Sequence, residues 1–355
     1  MLWSLLRWIL FRFDPEAVHH LAHAWLRRVP VALARRRRPP AVPSLAVRCL
    51  GLDFEGPVGL AAGFDKGQVS VAGLFAMGFS HLEVGTITPR PQPGNDRPRL
   101  FRLPEHQALI NRMGFNNLGA EACAARLDAL PAGARLGPVG LNVGKNKVTP
   151  NEQAVDDYLA CIDLLHRRAD YLVVNISSPN TPGLRQLQEK EALDRLLRAC
   201  VARLAERAPG KALLVKLAPD LTPEALDEAV DVAVAAGVAG IVATNTTLSR
   251  AGVEDHPRAG EAGGLSGTPL TALAQQVVRR VASRAGGRVP VIGSGGVMTA
   301  ADVYARIRAG ATLVQVYTGF IYGGPGFVRD VNAELARLLE RDGLRSVADA
   351  VGADL

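Results

Sequence analysis

The sequence predicts an α/β chain: a closed (β/α)8 barrel, or TIM barrel, with a two-helix extension at its N-terminus. Three observations carry that prediction. From residue 45 onward, apolar runs of strand length alternate with longer helical patterns through eight units. Such alternation means parallel strands joined by helices, and eight units point to a closed barrel. Every strand-length run ends in a polar side chain or a glycine turn. Residues 1–40 share neither habit. A doubly wound open sheet is the competing arrangement for the same alternation.

Composition bounds the class before any motif is read. At 355 residues, 48% apolar and 21% charged, the chain can bury one large α/β core. Cys49, Cys123, Cys161 and Cys200 are scattered, with no C-x-x-C pair. That opposes a disulfide framework, a zinc site and an iron–sulfur centre, and fits a reducing compartment. The formal charge of +7 is local: residues 1–40 hold eight Arg against Asp14 and Glu16, a net +6. A nucleic-acid-binding chain spreads its basic residues over the working surface, so no nucleic-acid partner is expected.

Residues 1–13 read Met-Leu-Trp-Ser-Leu-Leu-Arg-Trp-Ile-Leu-Phe-Arg-Phe. The run is shorter than the ~20 apolar residues a bilayer crossing needs, and it lacks a small-residue cleavage site. Asp14-Pro15-Glu16 has the form of a helix start: a capping side chain, Pro at the first position, an acid in the first turn. The helix it opens runs to Arg28, with Val18, Leu21, Trp25 and Leu26 on its apolar side. Arg35 to Arg38 and Pro39-Pro40 read as a charged linker. Two short helices with more Trp, Leu and Phe than one buried face can hold, and Arg beside them, suit a membrane surface. The alternative is a helix pair packed on the main domain. Residues 1–40 are therefore expected to form a membrane-associating segment and 41–355 a catalytic barrel.

The strand-length runs are 58–64, 81–88, 138–144, 170–178, 212–219, 240–247, 289–296 and 312–319. Helical patterns cover 69–77, 118–130, 154–168, 191–207, 223–236, 270–284, 300–309 and 326–341. Residues 89–117, long and Pro-rich, and the Gly-rich 248–268 interrupt the repeat and read as loops at the working face.

In such a barrel the site lies where strands end. The ends carry Ala62-Gly63-Phe64-Asp65-Lys66, Thr86, Asn142, Asn175, Lys216, Thr244-Asn245-Thr246, Gly293-Ser-Gly295-Gly296 and Tyr317-Thr318-Gly319. The most polar end, Asn175-Ile-Ser-Ser178-Pro-Asn180-Thr181, is also ordinary turn chemistry by itself; the full ring is what points to a site. The ring is rich in amides and poor in carboxylates. Asn offers a donor and an acceptor on one planar group, which suits imide-bearing rings such as a flavin or a pyrimidine. Lys66 and Lys216, two of only six Lys in the chain, supply cations for a carboxylate or for charge developing on a reduced ring. Glycine turns after strands seven and eight are where such barrels hold phosphate. A phosphate plus a planar ring reads as FMN. No metal site is visible.

On these motifs the chain resembles the dihydroorotate dehydrogenases of the membrane-associated, quinone-using class, over nearly its whole length. They are Gly59-Leu-Ala-Ala-Gly-Phe-Asp-Lys66, Glu83-Val-Gly-Thr-Ile-Thr-Pro89, Asn111-Arg-Met-Gly-Phe-Asn-Asn117, Asn175-Ile-Ser-Ser-Pro-Asn-Thr-Pro-Gly-Leu-Arg185, Val215-Lys-Leu-Ala-Pro-Asp220 and Gly263-Gly-Leu-Ser-Gly267. The resemblance implies oxidation of (S)-dihydroorotate to orotate in pyrimidine (UMP) synthesis, with ubiquinone or menaquinone as final acceptor. It implies Ser178 as catalytic base, with Thr181 and a water near Phe115 as its proton relay. Lys66, Asn111, Arg112, Met113, Gly114, Phe115, Asn175, Asn180, Asn245 and Thr246 would meet the substrate. Ala62, Gly63, Phe64, Asp65, Lys66, Thr86, Asn142, Asn175, Lys216, Thr244, Gly267, Gly296, Tyr317 and Thr318 would hold FMN. His19 and Arg102 would line the quinone path. The soluble classes, which use fumarate or NAD, carry Cys where this chain has Ser178.

Two other readings are weaker. A tRNA-dihydrouridine synthase needs a catalytic Cys and a spread basic face. A scaffold with a relic barrel predicts gaps in the polar ring. Arg far outnumbers Lys, as in GC-rich bacterial genes, and no transit segment precedes the short helices. The expected location is peripheral, on the cytoplasmic side of a bacterial inner membrane.

Overall fold

A computed structural model describes residues 2–355. Its strands, in chain order, are β1 (Val47–Cys49), β2 (Leu52–Phe54), β3 (Val58–Leu60), β4 (Leu82–Ile87), β5 (Leu100–Leu103), β6 (Ala108–Asn111), β7 (Val139–Val143), β8 (Tyr171–Asn175), β9 (Ala212–Leu217), β10 (Gly240–Ala243), β11 (Gly264–Gly267), β12 (Val291–Ser294) and β13 (Ala311–Val316). Eight of them close a parallel barrel in the order β3-β4-β7-β8-β9-β10-β12-β13. The closing pair sets Val314 opposite Val58 and excludes the open sheet. Seven expected strands contain one of these eight, and the last, 312–319, overlaps β13, which begins one residue earlier. Their residues are buried almost without exception because helices cover the outer face while side chains fill the inside.

The helices are α1 (Leu2–Leu10), α2 (Pro15–Leu26), α3 (Val31–Arg37), α4 (Val71–Phe75), α5 (Ala120–Asp128), α6 (Ala154–Leu165), α7 (Lys190–Arg207), α8 (Pro223–Ala235), α9 (Thr271–Ala285), α10 (Ala300–Arg308), α11 (Thr318–Gly323) and α12 (Phe327–Arg341). Local chemistry sets several starts. The Thr222 hydroxyl accepts from the Ala225 N–H at the head of α8, and Thr299 and Asp302 form a reciprocal cap on α10.

Three sequence expectations need correction. The two interruptions are not simple loops: they supply β5, β6 and β11, an antiparallel sheet with Asn111 opposite both Leu100 and Gly264. This cap has its own small core of Phe101, Leu103, Ala108, Ile110, Val253 and Leu265. Next, the N-terminal segment forms three helices, and Arg35–Arg37 are the last turn of α3 rather than a linker. Cations there complement the negative end of the helix dipole. Finally, α11 begins at Thr318, immediately after β13, where a turn was expected.

The N-terminal segment is partly built into the barrel. Leu26 and Ala34 are buried in the main core. A Cβ on Gly73 would lie 2.4 Å from the Leu26 carbonyl oxygen, so α2 sits almost backbone to backbone on α4. Glu16, 4% exposed, accepts from Arg99 at 3.1 and 2.7 Å and from Arg97 at 3.0 Å. Burial alone would raise the Glu16 pKa, but hydrogen bonding and charge from Arg99, with Arg97 and His20, hold it below the usual carboxylate value. α1 is the less embedded element: Leu5, Leu6, Trp8 and Ile9 are exposed, as are Phe13, Leu21 and Trp25 beyond it. Among the described residues no helix is long and apolar enough to cross a membrane.

Candidate active site

A cavity opens at the C-terminal ends of the barrel strands, roofed on one side by the cap sheet. Of the expected site residues, Ala62, Gly63, Lys66, Thr86, Asn111, Met113, Gly114, Phe115, Asn175, Ser178, Asn180, Lys216, Thr244, Asn245, Thr246, Gly267, Gly296, Tyr317 and Thr318 line it. Residues far apart in sequence converge here because they follow the ends of different barrel strands or lie on and beside the cap sheet. Sequence reasoning missed Ser266, Leu270 and Gln315 in the same wall. Gln315 had a readable signal: it is the one amide inside the apolar run of β13.

The floor of the cavity is a hydrogen-bonded layer. Asn175 Nδ2 donates to Thr86 Oγ1 at 2.8 Å and to Asn142 Oδ1 at 3.0 Å, and Thr86 Oγ1 donates to Asn142 Oδ1 at 2.6 Å. Asn142 Nδ2 donates to Glu83 Oε1 at 2.7 Å, and Gln315 Nε2 to Glu83 Oε2 at 2.6 Å. Lys216 lines the cavity beside this layer and makes no hydrogen bond or ion pair among the described residues. Burial lowers its pKa and the Glu83 carboxylate opposes that.

The other side of the cavity carries separately placed groups. Lys66 Nζ donates to Asn116 Oδ1 at 2.7 Å. Burial, helped by the Arg99 charge and opposed by Glu16, brings its pKa down to about 7. Asn180 Nδ2 donates to Asn111 Oδ1 at 3.2 Å, linking the loop after β8 to the cap. The Ser178 hydroxyl accepts from the Asn180 N–H at 3.2 Å. Asn180 Oδ1 and Thr181 Oγ1 are buried with no hydrogen-bond partner among the described residues. Buried polar atoms are nearly always paired, so two orphans beside one cavity mark places for water or ligand. Phe115 holds φ +55°, a left-handed conformation rare for a bulky side chain. The Asn117 and Gln92 amides keep it there by donating to its carbonyl at 2.7 and 3.2 Å.

The glycine turn after β12 is braced from behind. The fully buried Arg306 donates to the Gly295 carbonyl at 3.0 Å. Gly293 makes room for it, since a Cβ there would lie 2.4 Å from Arg306 Cγ. Burial brings the Arg306 pKa down to about 10.

Several expected site residues lie outside the cavity wall. Phe64 turns toward the N-terminal helices and packs on His19, His23 and Phe320. Asp65 accepts the N–H groups of Val69 and Ser70 at 2.9 and 2.6 Å, shaping the turn into α4. Arg112 pairs with Glu261 at 2.6 Å and stacks over Phe101, joining the two interruptions. Asn142 belongs to the floor layer but does not reach the cavity surface. Thr181 is next to the cavity, buried behind Asn180.

A family model described as dihydroorotate dehydrogenase matches residues 44–339. The chain belongs to the dihydroorotate dehydrogenase family. It is 78% identical over 354 residues to the dihydroorotate dehydrogenase (quinone) of Anaeromyxobacter dehalogenans strain 2CP-C, covering 100% of this chain and 97% of that one. The protein of the same description from Myxococcus xanthus is 56% identical, over 99% and 98% of the two chains. Among solved structures, an Eimeria tenella dihydroorotate dehydrogenase in complex with ferulenol superposes with a TM-score of 0.87 at 41% identity, over 96% of each chain.

The dihydroorotate dehydrogenase family works with a flavin, and the donor set fits one. The amides of Asn111, Asn180, Asn245 and Gln315 line the cavity and suit an imide-bearing ring, Lys216 is a cation without a protein partner among the described residues, and the braced glycine turn offers N–H groups. The two residues expected along the quinone path both contact the N-terminal helices. The His19 ring lies 4.6 Å from that of His23 and 5.2 Å from that of Phe64; burial and the charges of His23 and Lys66 keep its pKa well below the ordinary value. Arg102, on β5, donates to the Phe13 carbonyl at 2.8 Å and covers the Phe11 ring, gathering the end of α1 onto the cap. His23 carried no signal in the sequence. It is fully buried, bridging Ser70 Oγ at 2.8 Å and the Phe64 carbonyl at 2.9 Å.

Proposed function

We propose that the chain oxidises (S)-dihydroorotate to orotate with FMN as hydride acceptor and passes the electrons to a quinone at a membrane, in pyrimidine synthesis. The observation that carries this most is the convergence of Ser178, the Asn ring and two lysines on one cavity beside helices with exposed apolar faces. The chemistry FMN supplies when bound is two-electron: hydride accepted from C6 of the substrate, electrons released to quinone.

The residues supply the rest. Ser178 takes the proton from C5 as the C5–C6 double bond forms. A serine is a poor base at neutral pH and needs a relay, for which the unpaired Thr181 hydroxyl and a water near Phe115 serve. Lys66 holds the substrate carboxylate, and Asn111, Asn180, Asn245 and Thr246 hold the ring amides. Asn175 stands between substrate and flavin. Lys216 stabilises negative charge on the reduced ring, and Gly296 and Thr318 hold the phosphate end.

Residues 1–40 serve membrane binding and quinone entry, past His19, Phe64 and Arg102, and 41–355 the chemistry. Ubiquinone or menaquinone is the acceptor, and the protein lies peripherally on the cytoplasmic side of the inner membrane. Anaerobic visible spectroscopy of the purified protein tests this reading. Dihydroorotate should bleach a flavin band and a short-chain quinone restore it. Bleaching without return moves the chain to a soluble acceptor. Absence of flavin that added FMN cannot cure overturns the cofactor and the reaction.

A further inference from the structure

The hydrogen bonds under the cavity all point one way: an acceptor, Glu83, ends the chain at its base, and the backbone N–H groups of Ser177 and Thr246 enter it further up. Glu83 is fully buried in β4 and its carboxylate can only accept. Asn142 must therefore turn its NH2 group toward Glu83, at 2.7 Å, which leaves Asn142 Oδ1 facing the cavity side as an acceptor. Thr86 Oγ1 and Asn175 Nδ2 donate to that oxygen. With its NH2 so engaged, Asn175 presents Oδ1 to Ser177, accepting from the backbone N–H at 3.2 Å and from Oγ at 3.0 Å. Ser177 Oγ, its proton committed, accepts from Asn245 Nδ2 at 2.9 Å. Asn245 Oδ1 is then left for the Thr246 N–H at 2.7 Å. The chain of donors and acceptors runs from β4 through β7 and β8 to the end of β10.

We propose that Glu83 is a positioning residue: as an acceptor at the base of this chain it turns Asn142 Oδ1 toward Thr86 and Asn175, in the same sense as the backbone N–H groups that orient Asn175 and Asn245, so that the residues lining the cavity above are held in one arrangement. Amides flip at little steric expense, and an Asn142 without this anchor could turn its NH2 group on the NH2 group of Asn175 and disturb the layer under the cavity. Glu83 touches no cavity ligand itself; it is absent from the cavity wall. The inference rests on the reading of the cavity as a dihydroorotate and flavin site.

Glu83→Gln keeps the volume and adds a donor, so the orientation of Asn142 is no longer imposed. Adding Asn142→Asp restores it: the amide introduced on β4 donates to the carboxylate introduced on β7, whose remaining acceptor sites still serve Thr86 and Asn175. The experiment measures orotate affinity by calorimetry, FMN content, and the anaerobic rate of flavin reduction by dihydroorotate for wild type, Glu83→Gln and the double variant. Glu83→Gln should lose about tenfold or more in orotate affinity and in reduction rate, as one misdirected buried hydrogen bond implies, and the double variant should regain most of both. A general loss of packing is not repaired by a second substitution, so rescue separates direction from structure. If Glu83→Gln matches wild type, or the double variant is no better than the single, the proposal fails. Should Glu83→Gln not fold, recovery in the double variant against Asn142→Asp alone decides it. If wild type itself binds no orotate and its flavin is not reduced, the functional reading falls instead.

Discussion

The barrel floor and the N-terminal helices break the usual partition of polar and apolar groups in opposite directions. On the floor, Glu83, Thr86, Asn142 and Asn175 are buried. On α1 and α2, Leu5, Trp8, Leu21 and Trp25 stand in the open, Leu21 at 65% exposure. Burying an amide without partners is unfavourable, so the floor tolerates its polarity only by pairing it in a network. An exposed apolar face needs no such pairing inside the chain, because its complement is external. The first region is legible from its internal bonds; the second only from what it lacks.

Ways to break that contrast follow in order of size. Ser178→Ala should leave FMN bound and reduce the rate of flavin reduction by roughly 10²–10⁴-fold, the range of a general base; stopped-flow bleaching measures it. A normal rate would remove Ser178 from the mechanism. Glu16→Gln attacks the joint between the two regions and leaves Arg99 buried without its counter-charge. A loss of about 3 kcal/mol is expected by denaturant titration. Because the folded-state pKa of Glu16 is lowered, its contribution is present above the ordinary carboxylate value and is lost as pH falls through the folded value. The wild-type advantage over Glu16→Gln should therefore shrink in acid.

The next effect is one of pH. Lys66 is charged below about 7 and neutral above it in the free protein. Holding a carboxylate requires the charged form, so dihydroorotate affinity should fall as pH rises from about 7 to about 9, by at most roughly tenfold per unit. Lys66→Arg, charged throughout, should show no such slope in a titration series. The smallest effect on stability is expected at the surface: Leu21→Ser with Trp25→Ser should change unfolding free energy by no more than about 0.5 kcal/mol each. The same pair should weaken co-sedimentation with lipid vesicles about tenfold or more, as loss of buried apolar side chains implies. Unchanged sedimentation would mean these faces meet something other than lipid.

The barrel was readable because its signal repeats. Each strand end tests the same hypothesis, and Lys66, Thr86, Asn175 and Lys216 answer it independently. The cap was not readable: β5, β6 and β11 are four residues each, and β11 lies far along the chain from its partner β6. No local periodicity announces such a pairing. Motif membership also does not say which side chains face the cavity. Phe64 and Asp65 share a stretch with Gly63 and Lys66, yet one packs on the N-terminal helices and the other caps a turn. Adjacent residues in a tight turn point in different directions, and a motif does not record which. The buried Glu83 stands within a motif but suggested no role, because a carboxylate in an apolar run acquires meaning only from what faces it across the barrel.

The cap has a consequence for how this fold can change. Loops on a barrel face ordinarily vary one at a time, each free to lengthen or mutate without consulting the others. Here the excursion after β4 and the excursion after β10 are locked residue against residue, from Asn111 with Gly264 to Ala108 with Gly267. Arg112 and Glu261 repeat the tie just beyond the sheet. An insertion in one slips the register of the other and moves Asn111 off the pocket. The cavity wall on this side is held jointly by two distant stretches of sequence, and reshaping it requires both to be rewritten together.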